Sequence, residues 1–195
     1  MSAEWLTAIG TIGTFVVIAT SALAALMQLR HMRGSNQIIA LTECRETLES
    51  PEFREAQRFV SYELPQRLTD PQECLKIVQL PFSGEYQAIA TVANFFESMG
   101  LFVKTGIIDK NIACDFWSYV VERNWNALLP VTTFVREKLN VDALWENFEY
   151  MAALSAEYVK RHPSSYPGDM HHMPGDRSLL EFIEAHARKP DGQVV

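Results

Sequence analysis

The sequence predicts an all-α fold in which an N-terminal transmembrane helix is followed by a cytoplasmic multi-helix bundle. The run from Trp5 to Leu29 contains no Asp, Glu, Lys, Arg or His. Apolar residues recur at three- and four-residue spacing through most of the remaining chain, which is typical of amphipathic helices. No stretch shows the two-residue alternation of a β-strand.

The charge-free run is long enough to cross a bilayer. Its 25 residues reach about 37 Å as a helix, whereas a hydrocarbon core is about 30 Å thick. A cleaved signal peptide and a buried core helix are the alternatives. A signal peptide begins with positive charge and has a shorter apolar core, but residues 1–4 contain no Lys or Arg. A buried core helix rarely lacks charges over such a length.

The flanks of the run predict its orientation. Arg30 and Arg33 follow it as a basic membrane flank, whereas Glu4 is the only charged side chain before it. Positive residues favour the cytoplasmic side, and Trp5 suits the opposite interface. We therefore expect a single-pass protein of a cell inner membrane, with the N-terminus outside, the C-terminal domain cytoplasmic and the lipid bilayer as a partner.

One face of the span carries small and polar residues at alternating three- and four-residue spacing. This helix-packing stripe comprises Thr7, Gly10, Thr14, Val17, Ser21, Ala24 and Gln28, with Ala3 one step before it. The spacing is that of a left-handed helix pair, and small residues let membrane helices approach closely. The stripe predicts pairing with a second copy or another membrane helix. Alternatively, its hydroxyl groups bond only to their own helix.

Composition and charge limit the partners. Hydrophobic residues make up 48% of the chain, enough for a core, and the net charge is −7. An acidic domain lacks the basic surface that binds nucleic acid, so no nucleic-acid partner is expected. The three cysteines show no metal-ligand or redox spacing. No cofactor is predicted.

The chain divides into an anchor with its flank at 1–33, a helical cytoplasmic domain at 34–162, and a loop, short helix and loose tail at 163–195. Predicted helices cover 36–49, 51–64, 71–79, 85–104, 110–128, 131–139, 143–161 and 177–187, with a turn at 81–84. The polar residues at 34–36 form either a hinge or part of a continuous helix. The 85–104 helix is apolar on nearly all sides and is the expected core helix.

Capping residues and prolines set these boundaries. Ser50, Asp109 and Asp142 are predicted N-caps. Pro65 is predicted to end a helix, and Pro130 to kink or end one. The side chains of Ile112, Phe116, Trp117, Val120, Val121 and Leu128 are predicted to face inward.

Several features occur in the order seen in one family. They are Ser-Pro-Glu at 50–52, Ala-Asn-Phe-Phe-Glu at 93–97, Gly100-Leu101, a turn with Lys104 and Gly106, Phe116-Trp117 and Trp125. The chain resembles an uncharacterised bacterial family of single-pass, membrane-anchored helical proteins with a domain of unknown function. The resemblance covers most of residues 5–150. It implies a helical bundle behind one membrane helix and no catalytic or binding residue.

Three groups of polar residues are candidates for chemistry. His171 and His172 lie in a run that also offers thioether and carboxylate ligands for copper, nickel or zinc, but their spacing favours an exposed loop over a metal site. Asn94 and Glu97 interrupt the core helix, so they need hydrogen-bond partners in a buried network or at an interface. A third group could do acid–base work but more simply forms a solvated face: Asp115, Tyr119, Glu122 and Arg123.

These observations favour a membrane-tethered helical interaction or scaffold module that binds another membrane or cytoplasmic protein or self-associates. A membrane-associated effector or sensor in stress or phage defence is the first alternative. A small-molecule enzyme that uses the helix-borne acids is the second. No motif in the chain specifies a reaction, so catalysis is the least favoured.

Overall fold

The structure is a computed structural model that describes residues 3–78, 84–164 and 166–187, and within these ranges it is helical with no strand. The predicted all-α class is confirmed. The chain forms two units, one ending at Pro163 and the other beginning at Ser164. Most of the predicted turn at 81–84 and the tail from residue 190 lie outside the described residues.

The first unit contains seven of the α-helices and a short π-helix. The α-helices are α1 (Ala3–Glu49), α2 (Pro51–Arg58), α3 (Leu64–Arg67), α4 (Pro71–Val78), α5 (Gly84–Lys104), α6 (Lys110–Leu139) and α7 (Glu146–Arg161). The π-helix (Phe59–Glu63) joins α2 to α3. In the second unit, α8 (Ser178–Ala187) follows an irregular loop.

Helix α1 continues without a break through Gly34, Ser35 and Asn36, so the polar segment is part of a helix and not a hinge. At 1.5 Å per residue, its 47 residues extend about 70 Å. Only the last turns pack on the bundle, where Ala40 and Cys44 are buried. One rigid rod therefore carries both the apolar run and the first packing surface of the bundle.

Pro65 does not end a helix as predicted, because the helical path continues to Arg67. The turn before the proline widens into the π-helix, in which the Leu64 N–H donates to the Phe59 carbonyl oxygen. A widened turn accommodates a residue that has no N–H to donate.

Pro130 lies inside one 30-residue helix, α6, whereas the sequence suggested a second helix after it. A proline in a helix interior costs about 3 kcal/mol. Residues on both sides of it are nonetheless buried, namely Leu128, Val131, Thr132 and Val135. Their burial offsets the lost hydrogen bond and keeps the helix continuous.

Helix α7 begins at Glu146, so Asp142 does not cap it as predicted. Trp145 occupies the N-cap position in a left-handed conformation with φ of 58°, and its side chain makes no capping hydrogen bond. The cap is supplied by α5.

The core of the first unit surrounds α5. Ile89, Val92, Phe96 and Met99 of α5 are fully buried. The ring of Phe96 stacks on that of Phe148 in α7, with 4.9 Å between centroids. Helix α5 thereby positions α7, the helix that completes the bundle.

Gly100 lets α5 and α7 touch. A Cβ atom at this position would lie 2.0 Å from the carbonyl oxygen of Asn147. No side chain fits there, so the backbone of the first turn of α7 rests directly on α5.

Candidate functional site

The first candidate surface is the apolar, exposed length of α1. The described large apolar side chains from Trp5 to Leu29 are all more than half exposed. Within the described part of the chain, α1 is the one helix long and apolar enough to cross a membrane. An exposed apolar surface of this size is typical of a site that contacts a membrane or another protein.

The helix-packing stripe lies on this exposed helix, and all seven of its residues are exposed: Thr7, Gly10, Thr14, Val17, Ser21, Ala24 and Gln28. Two of its hydroxyl groups donate to their own helix. Thr7 Oγ1 donates to the Ala3 oxygen at 3.0 Å, and Thr14 Oγ1 donates to the Gly10 oxygen at 2.9 Å. These hydroxyls are therefore satisfied without a partner, and pairing along the stripe stays a prediction.

The basic flank lies on the same rod. Arg30 and Arg33 both fall within α1, less than two turns beyond Leu29. The Arg30 side chain is exposed. The flank therefore follows the apolar run directly, without an intervening loop.

A groove lies between the last turns of α1 and helix α6. Its volume is about 420 Å³, and it is lined by Ile38, Leu41, Thr42, Arg45, Leu48, Glu49, Phe116 and Trp117. Leu41 and Leu48 are half-buried, and Trp117 is nearly buried. At the rim, Ile38 is 66% exposed and Phe116 is 72% exposed. The groove is therefore apolar and bordered by exposed apolar side chains.

The groove also carries an ion pair. Arg45 Nε lies 2.8 Å from Glu49 Oε1, one helical turn further along α1, and both side chains are largely exposed. An exposed pair of this kind contributes little stability. Both charges can therefore exchange partners at low cost.

Sequence reasoning missed this groove because it predicted that Phe116 faces inward. That prediction is wrong for Phe116 and also for Ile112, which is 39% exposed. Phe116 belongs to an outward face with Ile112, Tyr119 and Arg123, which share its helical spacing and are exposed to differing degrees. The mixture of apolar and polar residues at this spacing was the sequence signal that could have predicted an outward face.

The second candidate site is the contact between α5 and the start of α7. Glu97 Oε2 accepts hydrogen bonds from the backbone N–H groups of Asn147 at 3.0 Å and Phe148 at 2.9 Å. Glu97 Oε1 accepts from Asn147 Nδ2 at 2.6 Å. A carboxylate bonded to free N–H groups at a helix N-terminus is the arrangement of an N-cap. Glu97 caps α7 from a different helix.

Neighbouring side chains strengthen this contact. Asn94 Oδ1 accepts from Trp145 Nε1 at 2.9 Å, and Lys104 Nζ donates to Asn147 Oδ1 at 3.1 Å. Asn94 itself is exposed and Glu97 is half-buried. The two residues form a hydrogen-bond network at the rim of the core and not in its interior.

Arg136 of α6 also bonds to residues at the start of α7. Its Nε donates to the Leu144 oxygen at 2.8 Å, and its side chain pairs with Glu149 Oε2 at 2.7 Å. The first turn of α7 is thus held by polar groups from both α5 and α6. All of these hydrogen bonds join the start of α7 to α5 or α6. We therefore interpret the contact between α5 and α7 as structural.

Two charged members of the helix-borne polar group, Asp115 and Arg123, have different partners. Asp115 accepts a long hydrogen bond from Tyr158 at 3.5 Å, whereas the Arg123 guanidinium lies 5.1 Å from the centre of the Tyr62 ring. The two charged groups therefore engage different neighbours. Asp115 and Arg123 are therefore not paired with each other as an acid and a base.

The histidine candidates lie in the loop of the second unit. The ring of His172 stacks on that of Tyr166 with 4.0 Å between centroids, and the Tyr166 hydroxyl donates to the His171 carbonyl oxygen at 2.8 Å. In the described residues, no group of three or more His, Cys, Asp or Glu side chains is arranged to hold a metal ion. His171 and His172 shape a loop in this structure.

Comparison with known proteins places the chain in a family. A family model described as a domain of unknown function, DUF4760, matches residues 15–155. The chain belongs to the DUF4760 family. A comparison with curated proteins and a comparison with solved structures each found no match.

The DUF4760 match covers the capping contact, the groove and the part of α1 that begins at Phe15. It begins within the apolar run of α1 and ends in α7 at Ser155, so it includes the groove and the capping contact. The second unit, with its histidine loop, lies beyond the match. The part of the chain that matches the family is therefore α1 from Phe15 onward together with the bundle up to Ser155.

The contact between α5 and α7 predicts two destabilising substitutions. Glu97→Ala removes three hydrogen bonds to a charged acceptor and lowers the free energy of unfolding by about 3 kcal/mol. Gly100→Ala forces a methyl group into the Asn147 backbone and lowers it by at least about 3 kcal/mol. Denaturant unfolding of the full-length protein in detergent, followed by tryptophan fluorescence, measures both.

Two matched variants serve as controls. Glu157→Ala removes an exposed carboxylate of α7, and Gly84→Ala adds a methyl group that meets no atom within 4 Å among the described residues, apart from its chain neighbours and its own helix backbone. Both are expected to unfold close to the wild type. Equal stability of Glu97→Ala and Glu157→Ala would contradict the capping role.

Proposed function

We propose that this DUF4760 protein is a membrane-tethered helical interaction module. Its span is the first part of α1, and its bundle binds a protein partner beside the membrane. The observation that carries the proposal is the continuity of α1, which joins an exposed apolar run to the packed bundle in one helix.

Charge supports the orientation. The basic flank, Arg30 and Arg33, separates the apolar run from the bundle, and positive residues favour the cytoplasmic side of a membrane. The bundle then faces the cytoplasm at the inner membrane, and the few residues before Trp5 lie outside.

The groove supports the interaction role. It combines an apolar floor with exposed apolar rim residues, the composition of a site that takes a helix or a side chain from another protein. The net negative charge of the chain favours a protein over a nucleic acid as the occupant.

The same continuity favours a second candidate function. Because α1 has no hinge at 34–36, a rotation or tilt of the bundle moves the span as well. A membrane effector or sensor, in stress or phage defence for example, would use this coupling. Such a protein should depolarise the membrane when overexpressed, whereas an interaction module should not.

Membrane insertion and orientation are tested with reporter fusions. The protein should resist extraction by alkaline carbonate, a C-terminal green fluorescent protein should fluoresce, and a C-terminal alkaline phosphatase should be inactive. Arg30→Glu combined with Arg33→Glu should weaken this orientation, because the flank sets it. Carbonate extraction of the wild type would contradict the tether, and an active phosphatase would contradict the orientation.

Partner binding is tested by crosslinking and affinity purification of the full-length protein from its native membrane. The wild type should yield a crosslinked protein partner, and Phe116→Ser should reduce the yield because it removes the exposed apolar rim. Leu139→Ser is the control, since Leu139 is an exposed apolar residue at the far end of α6. Recovery of monomer alone would contradict the interaction role.

A further inference from the structure

A second cleft lies between α6 and the segment formed by α2 and the π-helix. Its volume is about 400 Å³, and small-molecule sites in proteins commonly enclose about 300–1,000 Å³. Arg54 and Arg58 line it from α2, and Arg123 lines it from α6. We call this cleft the arginine pocket. Among the described lining residues, only Leu48 belongs to both this pocket and the groove.

The arginine pocket is positively charged in a chain whose net charge is −7. No Asp or Glu occurs among its described lining residues. Arg58 is partly neutralised, because its Nη1 lies 2.8 Å from Glu63 Oε1. Arg54 and Arg123, in contrast, form no ion pair with any described residue. Two guanidinium groups are therefore available to an anion from outside the chain.

The type and number of these charged groups favour phosphate as the anion. A guanidinium group presents planar, paired N–H donors that match the oxygen atoms of phosphate and carboxylate. Three arginines around one cleft suit an anion with more than one negative charge, which a phosphate group provides and a single carboxylate does not. Gln57 and Ser61 line the same pocket and add neutral hydrogen-bonding groups.

Two exposed tyrosine rings stand beside these charges. Tyr62 is 61% exposed and Tyr119 is 75% exposed, and both line the pocket. The Arg123 guanidinium lies 5.1 Å from the centre of the Tyr62 ring, so one face of that ring is already in use. The Tyr119 ring contacts no other described aromatic ring. An exposed ring next to phosphate-binding charges is suited to stack on a nucleobase.

The remaining lining comes from the π-helix and from two apolar residues. Ser61 and Tyr62 belong to the π-helix, and single π turns occur frequently at functional sites. Leu48 of α1 and Val120 of α6 are half-buried in the same lining. Their apolar surface suits the face of a ring better than it suits bare phosphate. An occupant that has both phosphate and a ring would contact every part of the pocket.

The position of the pocket favours a soluble occupant. Leu48 lies about 28 Å beyond Leu29 along α1, whereas the headgroup region on each side of a bilayer is about 5–8 Å thick. In the proposed orientation the pocket is therefore beyond the reach of lipid headgroups. The negative net charge of the chain also opposes a long polyanion such as nucleic acid. A small soluble phosphate compound meets neither obstacle.

We propose that the arginine pocket binds a soluble nucleotide. Arg54, Arg58 and Arg123 hold its phosphate groups, and the ring of Tyr119 stacks on its base. This site goes beyond the proposed function, because nucleotide binding here requires neither the groove nor a protein partner.

Isothermal titration calorimetry of the full-length protein in detergent tests the proposal with ATP, tripolyphosphate, adenosine and inositol trisphosphate as probes. ATP should bind at least about fivefold more tightly than tripolyphosphate, although tripolyphosphate carries more charge, because a stacked base adds affinity. Adenosine should bind at least about tenfold more weakly than ATP, because it offers no phosphate to the arginines.

A matched pair of arginine variants locates the binding site. Arg54→Gln should weaken ATP binding at least about fivefold, because it removes a charged donor group from the pocket. Arg161→Gln removes the same charge from an exposed arginine of α7 that does not line the pocket. It should change ATP binding by less than about twofold, because exposed distant charges are screened by salt. Unchanged tryptophan fluorescence would show that both variants are folded.

A pair of tyrosine variants tests the stacking. Tyr119→Leu should reduce the preference for ATP over tripolyphosphate to less than about twofold, because it removes the ring. Tyr119→Phe should keep the preference, because it loses only the hydroxyl group, which interacts with Arg123. Equal preferences in the two variants would show that the ring does not stack on the base, and would contradict the proposal.

Three further results would overturn the proposal. One is the absence of heat from ATP at millimolar concentration, and another is equal weakening of ATP binding by Arg54→Gln and Arg161→Gln. The third is inositol trisphosphate binding as tightly as ATP, which would assign the pocket to phosphate chemistry shared with lipid headgroups. None of these results depends on the groove, so the outcome is separate from that of partner binding.

Discussion

The unbroken helix α1 is the constraint on which the arrangement of this protein depends. Its first part is apolar and exposed, whereas its last turns are buried against the bundle at Ala40 and Cys44. No break occurs at 34–36. The angular positions of the stripe, the basic flank and the groove around the helix axis are therefore fixed relative to one another. A flexible linker would have left these features independent of one another.

The bundle that α1 carries depends on a second contact, where α5 meets the first turn of α7. Gly100 removes the side chain that would keep the helices apart, and Glu97 satisfies the N–H groups that this approach exposes. Backbone contact and capping therefore support each other. Phe148, which follows directly, is then placed for stacking on Phe96.

Capping residues in the sequence correctly predicted helix starts whose capping hydrogen bonds are made by neighbouring residues. The Ser50 hydroxyl accepts from the Phe53 N–H at 3.2 Å, and Asp109 Oδ1 accepts from the Asn111 and Ile112 N–H groups. Both are the predicted caps. The predicted cap at Asp142 fails because Glu97, distant in sequence, supplies the hydrogen bonds that a local cap would have made.

The groove could not be predicted from local sequence signals either, because it also depends on contacts between residues that are distant in the sequence. Its two walls come from α1 and α6, and no periodicity within one helix tells which residues of another will stand opposite. The spacing within α6 alone predicts that Phe116 is a core residue, yet its side chain is exposed because α1 does not cover it. Hydrophobic spacing identifies a face, but packing between helices decides whether that face is buried.

The most direct test of the account is the distance across the segment at 34–36 in a bilayer. Spin labels at Ala22 and Ile39, both exposed on α1, are measured by double electron–electron resonance in full-length protein diluted with unlabelled protein. A continuous helix gives a narrow distribution near about 26 Å. A broad or markedly shorter distribution would show a hinge, and it would contradict the rigid rod that links the apolar run to the bundle.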